Sequence, residues 1–214
     1  MGTIVNGANG GFKGKAGSVI GSSWKGINYI KGLYKKRTKP SSEAQLQQQA
    51  KFTLLTRFLL PIQRLLSIGF GRKKMNKATP GNIALQFNLA EAVQGIYPDY
   101  VLDYSKIRIS DGALYGAGNV TVSYDEGDLT LNWDTVVNEE LGNQLDDVLY
   151  VVAYHPERDE FLTNPTRLTR ADGTVTFAVP GYLQNGVLHV WYFMSDRTKK
   201  RVSKSSYLGE LQLD

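Results

Sequence analysis

The sequence contains no cysteine, which excludes disulfide staples and thiolate metal sites. Its two histidines, His155 and His189, leave little material for metal or acid–base chemistry. Acidic residues are almost missing from the first 80 positions, where Glu43 stands alone. Long hydrophobic runs are missing too. The most apolar stretch, residues 52–70, is interrupted by Arg57, Pro61, Gln63 and Arg64, so no segment is expected to span a bilayer. The start, Met1-Gly2-Thr3-Ile4-Val5-Asn6-Gly7, lacks the basic residues and continuous apolar run of a secretory signal. A soluble chain is expected, located in the cytoplasm or in a virion or other particle, with no membrane partner.

What is present describes an ordered protein of one or two modest domains. The chain has 214 residues, 42% hydrophobic and 21% charged, and its 22 glycines fall short of a fibrous repeat. The net charge of +5 conceals a segregation. Residues 1–80 hold fifteen Lys and Arg against one acid, a formal +14, while the remainder holds ten bases and nineteen acids, a formal −9. Such a chain can attract polyanions through one end, or its own neighbours head to tail.

Between residues 6 and 32, glycines alternate with Phe12, Val19, Ile20, Trp24, Ile27, Tyr29 and Ile30. That spacing suits short strands and tight turns. It predicts a hairpin of residues 18–23 and 27–34, turning at Trp24-Lys25-Gly26. The basic break Lys35-Lys36-Arg37-Thr38-Lys39-Pro40 precedes a helix start, where Ser42 and Gln45 have the spacing of a capping box. Leu46, Ala50, Leu54, Phe58 and Ile62 recur every fourth residue. Pro61 is expected to kink or end this helix. Thr79-Pro80 opens a second helix carrying Ile83, Leu85, Phe87, Leu89, Ala90 and Val93, with Gly95 as its stop.

Alternation then replaces the helical period. Val120, Val122 and Tyr124 face Leu129, Leu131 and Trp133 across the turn Asp125-Glu126-Gly127-Asp128. Further strands are expected at residues 148–154, at Val175, Phe177 and Val179, at residues 187–194, and through Tyr207, Leu208 and Leu211. Residues 100–110 are read as an extra strand linking the two halves. The fold class expected is α+β. A small α/β domain of hairpin plus helices (residues 1–96) precedes an all-β sandwich (residues 97–214).

The run Leu129-Thr130-Leu131-Asn132-Trp133-Asp134 is similar to the second strand of fibronectin type III domains, whose buried tryptophan anchors the core. Gly173-Thr174-Val175-Thr176-Phe177, then Pro180-Gly181, is similar to that family's fifth strand and following turn. The pattern departs at Leu188, near the usual place of a tyrosine. The whole chain also resembles an uncharacterised bacterial family sharing Gly11-Phe12-Lys13-Gly14-Lys15-Ala16-Gly17, Trp24-Lys25-Gly26 and Pro40-Ser41-Ser42-Glu43-Ala44-Gln45. The helix start, running into Gln49-Ala50-Lys51-Phe52, resembles short segments of phage virion proteins. This resemblance implies a structural, phage-like context and transfers no catalytic residue.

Gly10 to Lys15 does not make a phosphate-binding loop. Asn9 replaces the first glycine and Ala16 the hydroxyl residue. His155 and His189 have no nucleophile at motif spacing, and a surface or strand role is assigned to them. Glu139-Glu140 and Asp146-Asp147 read as solvated faces, with a cation site as the remote alternative. No enzymatic activity and no cofactor are expected. The expected function is assembly of a structural subunit through the basic glycine-rich region, with Trp24, Ile27, Tyr29 and Ile30 as anchors. Lys13, Lys15, Lys25, Lys31, Lys35, Lys36 and Arg37 form the basic patch. Partners are further copies or other structural subunits; binding of nucleic acid by the same patch is the alternative.

Overall fold

The computed structural model describes residues 3–4, 10–24, 26–36, 38–71 and 78–213. Two compact units make up the chain, Met1–Glu43 and Ala44–Asp214. The first is an antiparallel sheet of β1 (Thr3–Ile4), β2 (Phe12–Ala16), β3 (Val19–Trp24) and β4 (Ile27–Gly32), in that order.

In the second unit, α1 (Glu43–Leu59) ends two residues before Pro61, as a ring that removes an N–H and crowds the preceding turn requires. α2 (Gln63–Gly69) restarts after a single turn. Gly69 is a place where a side chain does not fit: a Cβ there would collide with the backbone of Ile109 and Ser110, and Asp111 donates its N–H to the Gly69 carbonyl at 3.2 Å. α3 (Pro80–Glu91) begins where proline is tolerated, and Thr79 caps it by accepting from the Asn82 N–H at 3.2 Å. Gly95 does not stop this helix. The chain leaves α3 at residue 92 and forms a two-stranded hairpin, β5 (Val93–Ile96) and β6 (Asp99–Leu102). Residues 100–110 are therefore no linking strand. After β6 they turn and run beside residues 202–205, held by Ile109 N–H to Ser205 Oγ at 3.0 Å and Ser110 Oγ to the Ser203 carbonyl at 2.6 Å.

Two sheets follow. One has the order β12-β8-β7, from β7 (Thr121–Asp125), β8 (Asp128–Asn132) and β12 (Thr174–Ala178). The other has the order β10-β9-β13-β14, from β9 (Val148–His155), β10 (Glu160–Thr163), β13 (Gly186–Ser195) and β14 (Ser206–Leu213), with β11 (Leu168–Thr169) also paired to β9. All pairings are antiparallel.

The side chains of β9 and β13 explain how the unit is layered. Leu149, Val151, Ala153, Leu188, Val190, Tyr192 and Met194 face inward to Leu129, Leu131 and Trp133 of the smaller sheet. The alternate positions Val152, Tyr154, Trp191 and Phe193 pack on the other face against Leu55, Phe58, Leu59, Ile62, Leu66, Phe70 and Ile83 of the helices. Helices, large sheet and small sheet thus form three layers over two cores.

This arrangement moves the domain boundary. Sequence reasoning puts it at residue 96, with the helices on the side of the hairpin. In the structure the division falls at residue 43, because Leu55, Phe58, Leu59, Ile62 and Leu66 of the helices are buried on the large sheet, while Leu46 of the expected stripe stays exposed. The charge division moves with it. The unit Met1–Glu43 has eight bases and one acid, a formal +7, and the rest has seventeen bases and nineteen acids, a formal −2. The second unit is therefore close to neutral rather than acidic.

Candidate interaction site

Tight turns join the strands of the N-terminal sheet. Ala16 pairs with Val19 and Trp24 with Ile27, which leaves Gly17-Ser18 as one loop and places Gly26 in the other. Gly17 and Gly26 take φ of +59° and +81°, a backbone region that side chains disfavour. Gly21 serves another purpose, since the Phe12 ring lies where its Cβ would be.

Register decides which side chains share a face. Lys15 stands opposite Ile20, Ile20 opposite Lys31, Ser22 opposite Tyr29, and Trp24 opposite Ile27. Side chains alternate along each strand. One face therefore carries Lys13, Lys15, Ile20, Trp24, Ile27, Tyr29 and Lys31. The other carries Phe12, Val19, Gly21 and Ile30. Three of the four expected anchors thus join three lysines on one surface, and Ile30 lies on the opposite one. Lys35 and Lys36 follow β4 in exposed coil. Lys25 and Arg37 lie outside the described residues.

Trp24 is 53% exposed, and Ile27, Tyr29 and Ile30 are exposed as well. All six positions of β4 are exposed, and no strand among the described residues pairs with its outer edge. The unit holds eight bases against a single acid. The face is thus cationic and apolar at once. It offers ring surface, positive charge and an open strand edge.

Both histidines are engaged by neighbouring groups. In His155, Nδ1 accepts from the Arg158 N–H at 3.3 Å, so Nε2 carries the proton and donates to the Asn185 carbonyl at 2.6 Å. His189 is buried, with its ring 4.2 Å from that of Tyr104 and Nδ1 2.8 Å from the Tyr207 hydroxyl. Burial pushes its pKa down, partly opposed by Glu210. Among the described residues, no group of three or more His, Asp and Glu is placed to hold a metal ion.

Asp147 departs from the solvated face expected of it. Its side chain is 2% exposed and lies 3.4 Å from the equally buried Arg170 guanidinium. Arg170 also donates to the carbonyls of Tyr115 and Gly116 at 2.9 and 3.1 Å, and its own carbonyl accepts from the Trp133 indole at 3.1 Å. This knot ties three loops to the core between the two sheets. Its partners lie 23 to 55 residues from Arg170, so no local pattern announces it.

The model of the family described as "Family of unknown function (DUF6266)" matches residues 11–209. The chain belongs to that family. The match runs through both units, from the glycine-rich strands of the first to β14 of the second. No curated protein matches the chain. Among the described residues, no helix is long and apolar enough to cross a membrane.

Proposed function

We propose that this DUF6266 protein is a structural subunit that self-associates through its N-terminal sheet, the occupant of β4 being the same sheet of a second copy. The observation that carries this reading is the edge strand β4, six residues long and exposed throughout. Edge strands display unpaired N–H and C=O groups, and natural proteins protect them or use them. Strand addition satisfies those groups in both partners without a specific side-chain code. Trp24, Ile27 and Tyr29 supply apolar contact, and the lysines set the register of approach. A virion-like or other bacterial particle is the context proposed, resting on the resemblance of the segment from Pro40 to Phe52.

We also propose that the two-sheet part of the second unit is fibronectin type III-like. Strand order supports this. The chain leaves β8 for the opposite sheet, returns at β12 beside β8, and crosses again to β13 beside β9. Sandwiches of this class have that Greek-key pairing. Trp133 stands in the core as the resemblance implies, and Leu188, near the usual place of that family's tyrosine, is buried as well.

Light scattering on the intact chain and on a variant lacking residues 1–43 tests assembly. The intact chain should form larger species and the variant should be monomeric; equal masses remove the proposal. A second reading, binding of single-stranded nucleic acid, draws on the presence of Lys13, Lys15 and Lys31 beside Trp24 and Tyr29 on one face. It predicts affinity that falls steeply with salt, with a shallower slope in a Lys15→Gln/Lys31→Gln variant. No binding at low salt eliminates it.

A further inference from the structure

A cavity of about 680 Å³ opens within the second unit between α2, strands β9 and β10, and two loops. Its base is apolar, formed by Ile62, Leu65, Ile68, Val148, Tyr150 and Phe161. Around it stand four cations: Arg64 from α2, Arg167 from the loop between β10 and β11, and Arg197 and Lys199 from the turn after β13. No Asp or Glu among the described residues lines it. Elsewhere in the unit Arg57, Arg108 and Arg170 each have a carboxylate, from Asp159, Glu91 and Asp147. Here Arg197 reaches Asp146 only at 3.8 Å, and no ion pair among the described residues involves Arg64, Arg167 or Lys199.

The walls are held in place before any ligand arrives. Tyr150 is stacked on Phe193 with ring centroids 4.8 Å apart, and Phe161 meets Phe58 edge-on at 5.1 Å. Asn164 fixes the loop that presents Arg167. Its Oδ1 accepts from the Val151 N–H at 2.9 Å, and its Nδ2 donates to the Thr166 carbonyl at 2.6 Å. Like charges converging on one cavity repel, and an anion between them removes that cost. Guanidinium forks match phosphate oxygens in pairs, and the volume falls in the range of small-molecule sites.

We propose that this cavity binds a small organic anion in which one or more phosphate groups are joined to a flat apolar body. The phosphates lie among Arg64, Arg167, Arg197 and Lys199, and the flat body rests on Tyr150 and Phe161. The site lies wholly in the second unit and is independent of assembly through the first.

Isothermal titration of the intact chain with ADP tests it, with adenosine and pyrophosphate as the two halves of that probe. ADP should bind one per chain and more tightly than either half. The double variant Arg64→Glu/Arg167→Glu, with its melting curve recorded to establish folding, should lose at least about ten-fold in affinity. The variant Lys13→Gln/Lys15→Gln/Lys31→Gln should bind ADP as the natural chain does, whatever becomes of its assembly. Absence of ADP binding at millimolar concentration overturns the proposal. So does full affinity in the double variant, or pyrophosphate bound as tightly as ADP.

Discussion

Replacing Arg170 with alanine isolates what the buried ion pair contributes. The substitution removes donors to the Tyr115 and Gly116 carbonyls and leaves the 2%-exposed Asp147 carboxylate with one local bond, from the Gln144 N–H at 2.9 Å. Stranding one member of a buried pair costs about 3–5 kcal/mol. The variant should therefore be about 3–4 kcal/mol less stable than the natural chain, equivalent to a midpoint about 10 °C lower. Urea unfolding of both chains measures it. The companion Arg170→Met/Asp147→Leu, which removes both charges, should recover most of the loss. A companion as unstable as the single variant would falsify the charge argument, because loss of side-chain packing is not relieved by removing the carboxylate. The Nε of Arg170 has no hydrogen-bond partner among the described residues, so the natural pair is itself incompletely satisfied.

Other consequences are equally open to measurement. Phe58, 2% exposed among the rings of Tyr104, Tyr154, Phe161 and Trp191, should cost about 3–5 kcal/mol when changed to alanine. Residues 44–214 should still unfold in one transition; separate melting of helices and sheets would refute the shared core. His189 favours its neutral form when folded, since burial lowers its pKa below that of the unfolded chain. The unfolded state therefore binds more protons, and stability is complete above about pH 6.5 and declines as pH falls below it. A His189→Gln variant should lose that decline, and an unchanged profile would refute the assignment. Gly21→Val pushes a side chain into the Phe12 ring and should open the N-terminal sheet. Proteolysis between residues 10 and 36 should accelerate and larger species disappear, while the melting of residues 44–214 stays as it was.

Local features were legible where the chemistry is local. Pro61 ends α1, Thr79 caps α3, and the glycine turns place β3 and β4 close to where spacing puts them. Trp24 pairs with Ile27 instead of lying in the turn, a shift of one residue. In β7, β8 and β12 the apolar positions alternate cleanly with exposed ones, because that sheet has a solvent face. The strands β9 and β13 carry a different message. Their residues are apolar at nearly every position, the pattern of strands covered on both faces. That signal was available for the helical layer and for the boundary at residue 43, and an alternating sandwich reading passes over it.

The sequence alone determined the class of α1, of most of α3 and of β3, β4, β7 to β9 and β12 to β14, the basic charge of the first 43 residues, and, through the period of two, which side chains share a strand face. These depend on neighbours a few positions apart. Tertiary structure alone decided that α1, α2 and α3 cover the outer face of β9 and β13, that Asp147 meets Arg170, and that Arg64, Arg167, Arg197 and Lys199 surround one cavity. Burial and pairing of this kind join positions as far apart as 64 and 199. A hydrophobic stripe or a lone charge records that it needs a partner, and only the folded chain supplies which one.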